Sequence, residues 1–378
     1  MNNKLKLKIL FTLTSAKSMT GQQRFVFEAA RAMRRKGHEV TILTFSENTR
    51  PEMLDLIRKE NIKVETVPYG GALKGRIRQF TLYPRRIREL APDIIFTYTS
   101  ILSNSAVLSG IPAINYYWGN VTVFSEFLKN PARWIDNYIS GFPTVFLAKR
   151  NICCSEYMER QLNAIYFRKS DGLIYCGIDI GRVKPSKREG ENFRKKYGIP
   201  KKTLLLGTIG RFVPYKNHKY LLEYALLDPE ATVAIAGGGE LEKEYIDFIE
   251  KNSLGKRALI LKNLPEPDLN GFFNSLDIYL HPSSWEGFGI PPLEASACGK
   301  ISVTLNSAAL PEVTAKEPAG FLSDGKEGFL RSIGKAKRAT GKRGLARKAR
   351  EFAKKFSWEK IAREVEREIL AVARKRSR

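Results

Sequence analysis

"RFVFEAARAMRRKGHEVTILTF", residues 24–45, decides the fold. Apolar side chains recur at helical spacing from Phe25 to Met33, the run stops at Lys36-Gly37, and the strand-like "EVTILTF" follows at once. Upstream, "KILFTLT", residues 8–14, reads as a buried strand leading into a loop that carries Gly21. A strand, a helix and a strand joined by short connections predict a parallel sheet.

The same alternation extends in both directions. "KVETVPY" (63–69), "DIIFTYT" (93–99) and "AINYYW" (113–118) supply further strands, and "NICCS" (151–155) a late one, followed by the helix "EYMERQLNAIYF". From Tyr175 the chain reads "YCGIDIGRVKPSKREG", polar and rich in turn residues, which marks an inter-domain linker. The alternation then restarts with "TLLLGTIG" (203–210), "KNHKYLLEYALL", "ATVAIAGGG" (231–239) and "LEKEYIDFIEKN", and it continues through "ALILKN", "DIYLHPS" and "KISVTL". At 378 residues the chain exceeds the usual size of one core. The expectation is α/β with two doubly wound, Rossmann-like domains, residues 1–182 and 183–356, facing each other across a cleft. Open sheets of this kind bind ligands at the carboxyl ends of their strands.

Composition narrows the partners. The chain has 64 Lys and Arg against 39 Asp and Glu, a net charge of +25, which predicts attraction to nucleic acid, an anionic membrane face or phosphorylated small molecules. No RNA-binding or helix-turn-helix signature accompanies that charge, so nucleic acid is the least favoured of these. Cys153, Cys154, Cys176 and Cys298 show no metal-ligand spacing and read as reduced, buried thiols of a cytoplasmic protein, with no metal site. The start "MNNKLKLKILFTLTSAKS" reads as a first strand and not as a signal peptide, and no stretch has the composition of a membrane-spanning helix. Membrane contact is therefore expected to be peripheral. The tract "KGRIRQFTLYPRRIREL", residues 74–90, interleaves arginines with Ile77, Phe80, Leu82 and Ile87 and could rest on an anionic membrane or receive a lipid phosphate. A solvated helix with one core-facing side accounts for it almost as well.

The chemistry concentrates in "DIYLHPSSWEGFGIPPLEASACG", residues 277–299. A buried strand passes through a loop into a helix whose first turn accommodates Pro291 and Pro292, where a missing N–H costs nothing. Gly287 and Gly289 let backbone approach a ligand, and the helix N-terminus favours phosphate or sugar oxygens. Glu286 lies on the loop and Glu294 one turn into the helix, so both carboxylates can reach one cleft and accept from hydroxyls. Taken alone, structural roles, dipole complementation for Glu294 and turn capping for Glu286, weigh as much as that functional reading. For His281 and Trp285, which flank the loop, burial is the default. "GTIGRFVPYKN" places Arg211 and Lys216 just after the first strand of this domain, where a guanidinium fork and an ammonium suit a diphosphate.

The ordered set "GR", "KN", "GGG", "HPSSWEGFG", "PLEASACG" and "LPEV" resembles the retaining GT-B glycosyltransferases of family 4, strongly over residues 203–325. The likeness is weaker at "GQQRFVFEAARAMRRKGHEVTILT", "CCSEYMERQL" and "YCGID". It implies transfer of a hexose, of the mannose or glucose type, from a nucleotide-diphosphate sugar to a polyprenol-phosphate-linked or glycan acceptor hydroxyl, without cofactor or metal. By the same resemblance Arg211 and Lys216 hold the donor diphosphate, Glu286 contacts the transferred sugar and Glu294 the nucleotide ribose. Gly210, Gly237 and Gly238 line the nucleotide. Backbone around Gly287, Phe288 and Gly289 holds sugar and phosphates, and Gly21 lets the other domain approach them. The final "FSWEKIAREVEREILAVARKRSR" resembles the family's last helix, so 357–378 is expected to return to the first domain.

The chain departs from the family where many relatives carry a sugar-contacting histidine after the strand "AINYY". The loop reads "WGN", which makes Trp118 and Asn120 the candidate acceptor or sugar contacts, with core packing equally open for Trp118. The leading expectation is a cytoplasmic enzyme, peripheral on the inner membrane face. Its alternatives are a soluble polysaccharide or glycoside synthase of the same family and a GT-B-shaped sugar-nucleotide epimerase, against which the glutamate pair, Arg211 and Lys216 argue.

Overall fold

The computed structural model describes residues 5–16, 21–98, 101–119 and 131–374. The chain forms two compact units, one of residues 1–176 with 359–378 and one of residues 177–358.

The first unit holds a seven-stranded sheet of β1 (Lys8–Leu13), β2 (Glu39–Phe45), β3 (Lys63–Val67), β4 (Ile94–Thr97), β5 (Ala113–Tyr117), β6 (Arg150–Cys153) and β7 (Gly172–Leu173). Its order is β3-β2-β1-β4-β5-β6-β7 and every pairing is parallel. All residues of β4 and β5 are buried, as expected of strands covered by helices on both faces. The helix Gly21–Arg35 buries Phe25, Val26, Ala29, Ala30 and Met33. It ends as the sequence predicts: Gly37 takes φ +96° and donates to Arg34 O at 3.0 Å, while the His38 amide donates to Met33 O at 3.2 Å. These two bonds close the helix with carbonyls satisfied and start β2 without a spacer.

The second unit holds a six-stranded sheet of β8 (Leu204–Arg211), β9 (Ala231–Gly238), β10 (Ala258–Lys262), β11 (Ile278–His281), β12 (Ile301–Leu305) and β13 (Gly320–Ser323). The order β10-β9-β8-β11-β12-β13 is again all parallel. The chain winds from β8 outward to β10 and then returns to the other side of β8 as β11. The carboxyl ends of β8 and β11 therefore flank the point where the winding reverses, the place such sheets offer to ligands.

Two strands escape sequence reading. β7 has two residues, too few for an alternation to register, and the four of β13, GFLS, open on a glycine, which weakens a strand pattern. The tract at 74–90 folds as two short helices, Ala72–Arg78 and Leu82–Leu90. The terminal helix Trp358–Arg374 groups with the first unit from Glu359 onward, where Glu366 contacts Lys36 and Glu368 ion-pairs with Arg150 at 2.8 Å. No helix among the described residues is long and apolar enough to cross a membrane.

Candidate active site

Two loops, one after β8 and one after β11, are sewn together by backbone-directed bonds. Asn217, in the left-handed conformation at φ +50°, donates from Nδ2 to Pro282 O at 2.9 Å. The Tyr215 carbonyl accepts from the Ser284 amide at 2.8 Å and from Ser284 Oγ at 3.1 Å. The Glu286 carbonyl in turn accepts from the Ala309 amide at 3.3 Å. The segment "PYKN" thus cannot shift without the segment "HPSSWE", and the two side chains that matter most lie one on each.

Those side chains are Lys216 and Glu286. Lys216 Nζ meets Glu286 Oε1, and His281 Nε2 lies 2.6 Å from the same oxygen. Lys216 and Glu286 are only 12 % and 13 % exposed, so the pair is largely withdrawn from water. Burial by itself would push the Glu286 carboxyl up, but the Lys216 ammonium and the His281 bond together hold it well below the usual carboxylate range. His281 is buried, and burial lowers its pKa despite the adjacent carboxylate. A neutral ring bonded to an ionised acceptor must carry its proton on Nε2, which leaves Nδ1 to accept. Tyr279 supplies that donor, its hydroxyl standing 3.0 Å from His281 Nδ1. Burial raises the Tyr279 phenol well above its ordinary value, so it stays protonated and can donate. Tyr279, His281 and Lys216 thereby fix one oxygen of Glu286, and among the described residues its Oε2 has no bonding partner.

Glu294 belongs to a second ion-pair group. It sits in the helix Ile290–Ala297, which begins after Gly289 at φ +108° and carries Pro291 and Pro292 in its first turn. Its side chain is buried and its Oε1 is 2.8 Å from Arg182 Nη2, while Arg182 Nη1 is 2.7 Å from Glu266. A fork thus joins the "PLEAS" helix to the loop after β10.

The remaining candidates fall as follows. Arg211, the exposed last residue of β8, donates to the Tyr215 hydroxyl at 2.8 Å. Gly210 and Gly237 pair in register, and Gly237 has a structural reason to be glycine: at φ +142° a Cβ would lie 1.9 Å from Gly210 O. Gly238 follows as the last residue of β9. Gly287, Phe288 and Gly289 are buried, and the Phe288 ring packs against Phe356 at 5.9 Å, so Phe288 offers a ligand its backbone alone. Trp285 is half-buried and edge-on to Tyr215 at 6.1 Å, where burial had been expected. In the first unit Gly21 opens the helix Gly21–Arg35. Trp118, half-buried just past β5, sets its edge 6.1 Å from Phe25 and 5.9 Å from Tyr116. Asn120 lies outside the described residues.

Comparison with known proteins gives the family and the fold. Residues 19–182 match the family model "Glycosyltransferase Family 4" and residues 189–356 match "Glycosyl transferases group 1". The chain belongs to glycosyltransferase family 4 and has the GT-B fold. A D-inositol 3-phosphate glycosyltransferase of Corynebacterium jeikeium is 31 % identical over 206 residues, covering 50 % of this chain and 49 % of its own. The serotype-specific mannosyltransferase WbdA of Escherichia coli is 26 % identical over 298 residues, covering 73 % of this chain and 36 % of its own. This family 4 chain therefore spans half or less of the length of these relatives. Among solved structures, Anabaena HepE in complex with UDP-glucose superposes with a TM-score of 0.80 at 19 % identity, covering 97 % of this chain and all of that one. WaaG, a glycosyltransferase involved in lipopolysaccharide biosynthesis, superposes with a TM-score of 0.75 at 16 % identity, covering 94 % and 99 %.

Sequence reading of this family 4 chain singles out neither Tyr279 nor Arg182, and it gives His281 burial alone, which the structure shows, without its bond to Glu286. Tyr279 and His281 alternate along β11 and so share one face, a signal that could have tied His281 to the loop carboxylate five residues on. Arg182 gives no such signal, because a single arginine in a turn-rich linker has no periodicity to set it apart. His218 is the remaining buried histidine of the unit. Burial, then the charge of Lys216, lowers its pKa to about 3, and its ring stands edge-on to Phe212 at 5.7 Å. It is a neutral packing residue beneath the site.

Proposed function

We propose that this family 4 chain is a retaining, metal-independent hexosyltransferase. It moves a mannose- or glucose-type sugar from a nucleotide-diphosphate donor to a hydroxyl of a lipid-linked or glycan acceptor, at the cytoplasmic face of the inner membrane. The observation that carries the reading is the Glu286 carboxylate, held ionised, with Oε1 taken by Lys216 and His281 and Oε2 unbonded among the described residues. Such an oxygen accepts from sugar hydroxyls, and its bonds strengthen as the sugar becomes cationic in the transition state. Lys216 and Arg211 face the donor diphosphate, whose negative charge grows as the bond from the anomeric carbon to phosphate oxygen breaks. The acceptor oxygen bonds to that carbon on the same face, and its proton passes to the departing diphosphate. The protein's share is charge stabilisation and orientation. Glu294 receives the ribose hydroxyls, and Trp118 offers a face or edge to the sugar. The Anabaena neighbour's complex with UDP-glucose and the mannosyltransferase relative support a nucleotide-sugar donor.

The test is the thermal shift of the purified protein with UDP-, GDP-, ADP- and dTDP-sugars in the absence of metal. A ligand at 100 times its Kd stabilises the folded state by about 2.7 kcal/mol, which is easily read as a midpoint shift. One nucleotide is expected to shift the midpoint and to lose its effect in Arg211→Ala. A folded protein that responds to none of them overturns the reading.

A further inference from the structure

We infer that one face of the first unit, made by residues 77–82, the outer side of the helix Pro131–Leu147 and Phe167, is a docking surface for an anionic lipid bilayer. It extends the lipid-linked acceptor of the function proposed above, but it rests on its own observations and needs no turnover to be tested.

The first observation is exposure. Ile77 and Phe80 are 59 % and 61 % exposed, Ile139 is 63 % exposed, and Phe167 is 88 % exposed. Phe142 and Phe146 are exposed as well, and their rings stack at 4.2 Å. Ile139, Phe142 and Phe146 recur at helical spacing, so they form one stripe. The opposite side of that helix is already anchored, with Val145 buried and the Thr144 hydroxyl bonded to Asn104 Oδ1 at 2.5 Å. The stripe is therefore a second apolar face on a helix whose core-facing side is satisfied.

The second observation is contiguity. Asn104, buried in the helix Ile101–Leu108, donates from one Nδ2 both to Gln79 Oε1 at 3.1 Å and to Ser140 O at 2.7 Å. The Ser105 hydroxyl bonds Gln79 O at 3.1 Å. One amide thus holds the 77–82 corner beside the start of the stripe. At the other end Arg168, the neighbour of the exposed Phe167 in the chain, lies over the Phe146 ring at 5.9 Å. Segments far apart in sequence make one apolar surface.

The third observation is charge, and it selects the occupant. Residues 72–90 contain six Lys and Arg and a single acid, Glu89, which is ion-paired to Arg85 and Arg86. Lys74, Arg76, Arg85 and Arg88 are exposed around Ile77 and Phe80. Aromatic and aliphatic groups rimmed by long cationic side chains match the boundary between acyl chains and anionic headgroups. The combination of a broad apolar face with a basic margin favours a partner that is apolar and anionic at once, as a bilayer surface is.

Co-sedimentation of the full chain with vesicles tests the surface. Vesicles of phosphatidylcholine with phosphatidylglycerol should bind it about tenfold or more tighter than phosphatidylcholine alone, and added salt should weaken the binding. Phe80→Ser with Phe142→Ser, and separately Arg76→Glu with Arg85→Glu, should each lower the partition at least about tenfold. The nucleotide-sugar thermal shift is read on the same variants and should be unchanged, which shows them folded. Equal binding to neutral and anionic vesicles, no binding, or partition insensitive to both variant pairs overturns the inference. So does a dimer in sedimentation equilibrium that Phe142→Ser dissociates. Vesicle binding without any nucleotide-sugar shift would sink the proposed activity and leave the docking surface standing.

Discussion

Replacing Lys216 by methionine isolates the physics of the site. The substitution keeps the stem and removes the ammonium, so Glu286 stays withdrawn from water with only the neutral His281 as partner. Removing one member of a buried pair costs about 3–5 kcal/mol, and the lower end applies because His281 Nε2–H still donates to Oε1. The expected loss near neutral pH is about 3 kcal/mol, read as a displaced urea midpoint. The sign of its pH dependence follows from the carboxylate. Glu286 has its folded pKa below the unfolded value in the native protein, so its stabilisation is present above the unfolded value and is lost as pH falls through the folded one. Without Lys216 the effect of burial gains weight and the folded pKa rises. The gap between native and variant should therefore be largest above the variant's pKa and shrink as acid protonates Glu286. Adding Glu286→Gln to Lys216→Met should recover much of the loss, because the unpaired charge is gone. Urea titrations at several pH values on all four proteins measure the cycle. A loss that is independent of pH, or additive with that of Glu286→Gln, would refute the account of Glu286 as an ionised, cation-held acceptor.

Further outcomes follow from the same structure. Arg182→Ala removes the ion pair of the buried Glu294; because Arg182 is one-quarter exposed, the stability loss should be about 2 kcal/mol, and the nucleotide-sugar thermal shift should fall in parallel. Arg182→Lys should restore stability in part but not the shift, since an ammonium cannot fork to both Glu266 and Glu294. An undiminished shift in Arg182→Ala would remove Glu294 from the ribose role. Gly237→Ala should destabilise by at least about 3 kcal/mol in thermal melts, because its Cβ would lie 1.9 Å from a backbone oxygen and its φ is +142°. A near-native melt for that variant would mean that the β8 and β9 ends are looser than their register implies.

The residues that were legible share a property: their signals are local. Lys36-Gly37 closes a helix and opens a strand through two bonds among neighbours, so the alternation it begins could be read along both units. Pro291, Pro292 and Gly289 announce the helix that carries Glu294 for the same reason. The loop position of Glu286 and the strand-end position of Lys216 follow from sheet topology, but their union does not. It depends on Asn217 and Tyr215 sewing two loops that lie 65 or more residues apart. Arg182 is less legible still. It lies 112 residues from Glu294, and only the folding of the second unit makes one fork serve both Glu294 and Glu266.

The two ion-pair groups also explain how the chain holds two largely buried glutamates, Glu286 and Glu294, at one sheet edge. Each glutamate is largely buried and each is met by a cation from a different loop, so neither needs solvent to carry its charge. Glu286 is held at one oxygen by Lys216 and His281, which leaves the other to meet a hydroxyl. On the proposed reading, an anionic diphosphate competes for Lys216 with the very carboxylate that Lys216 keeps ionised. Donor binding therefore weakens the Lys216–Glu286 contact and shifts the burden of holding Glu286 onto His281 and the sugar hydroxyls. His281→Phe should accordingly cost little in the empty protein, where Lys216 suffices. It should cost the donor complex more, as a smaller nucleotide-sugar thermal shift than the native protein shows. Equal loss with and without donor would show that Lys216 never leaves Glu286, and would place the diphosphate on Arg211 alone.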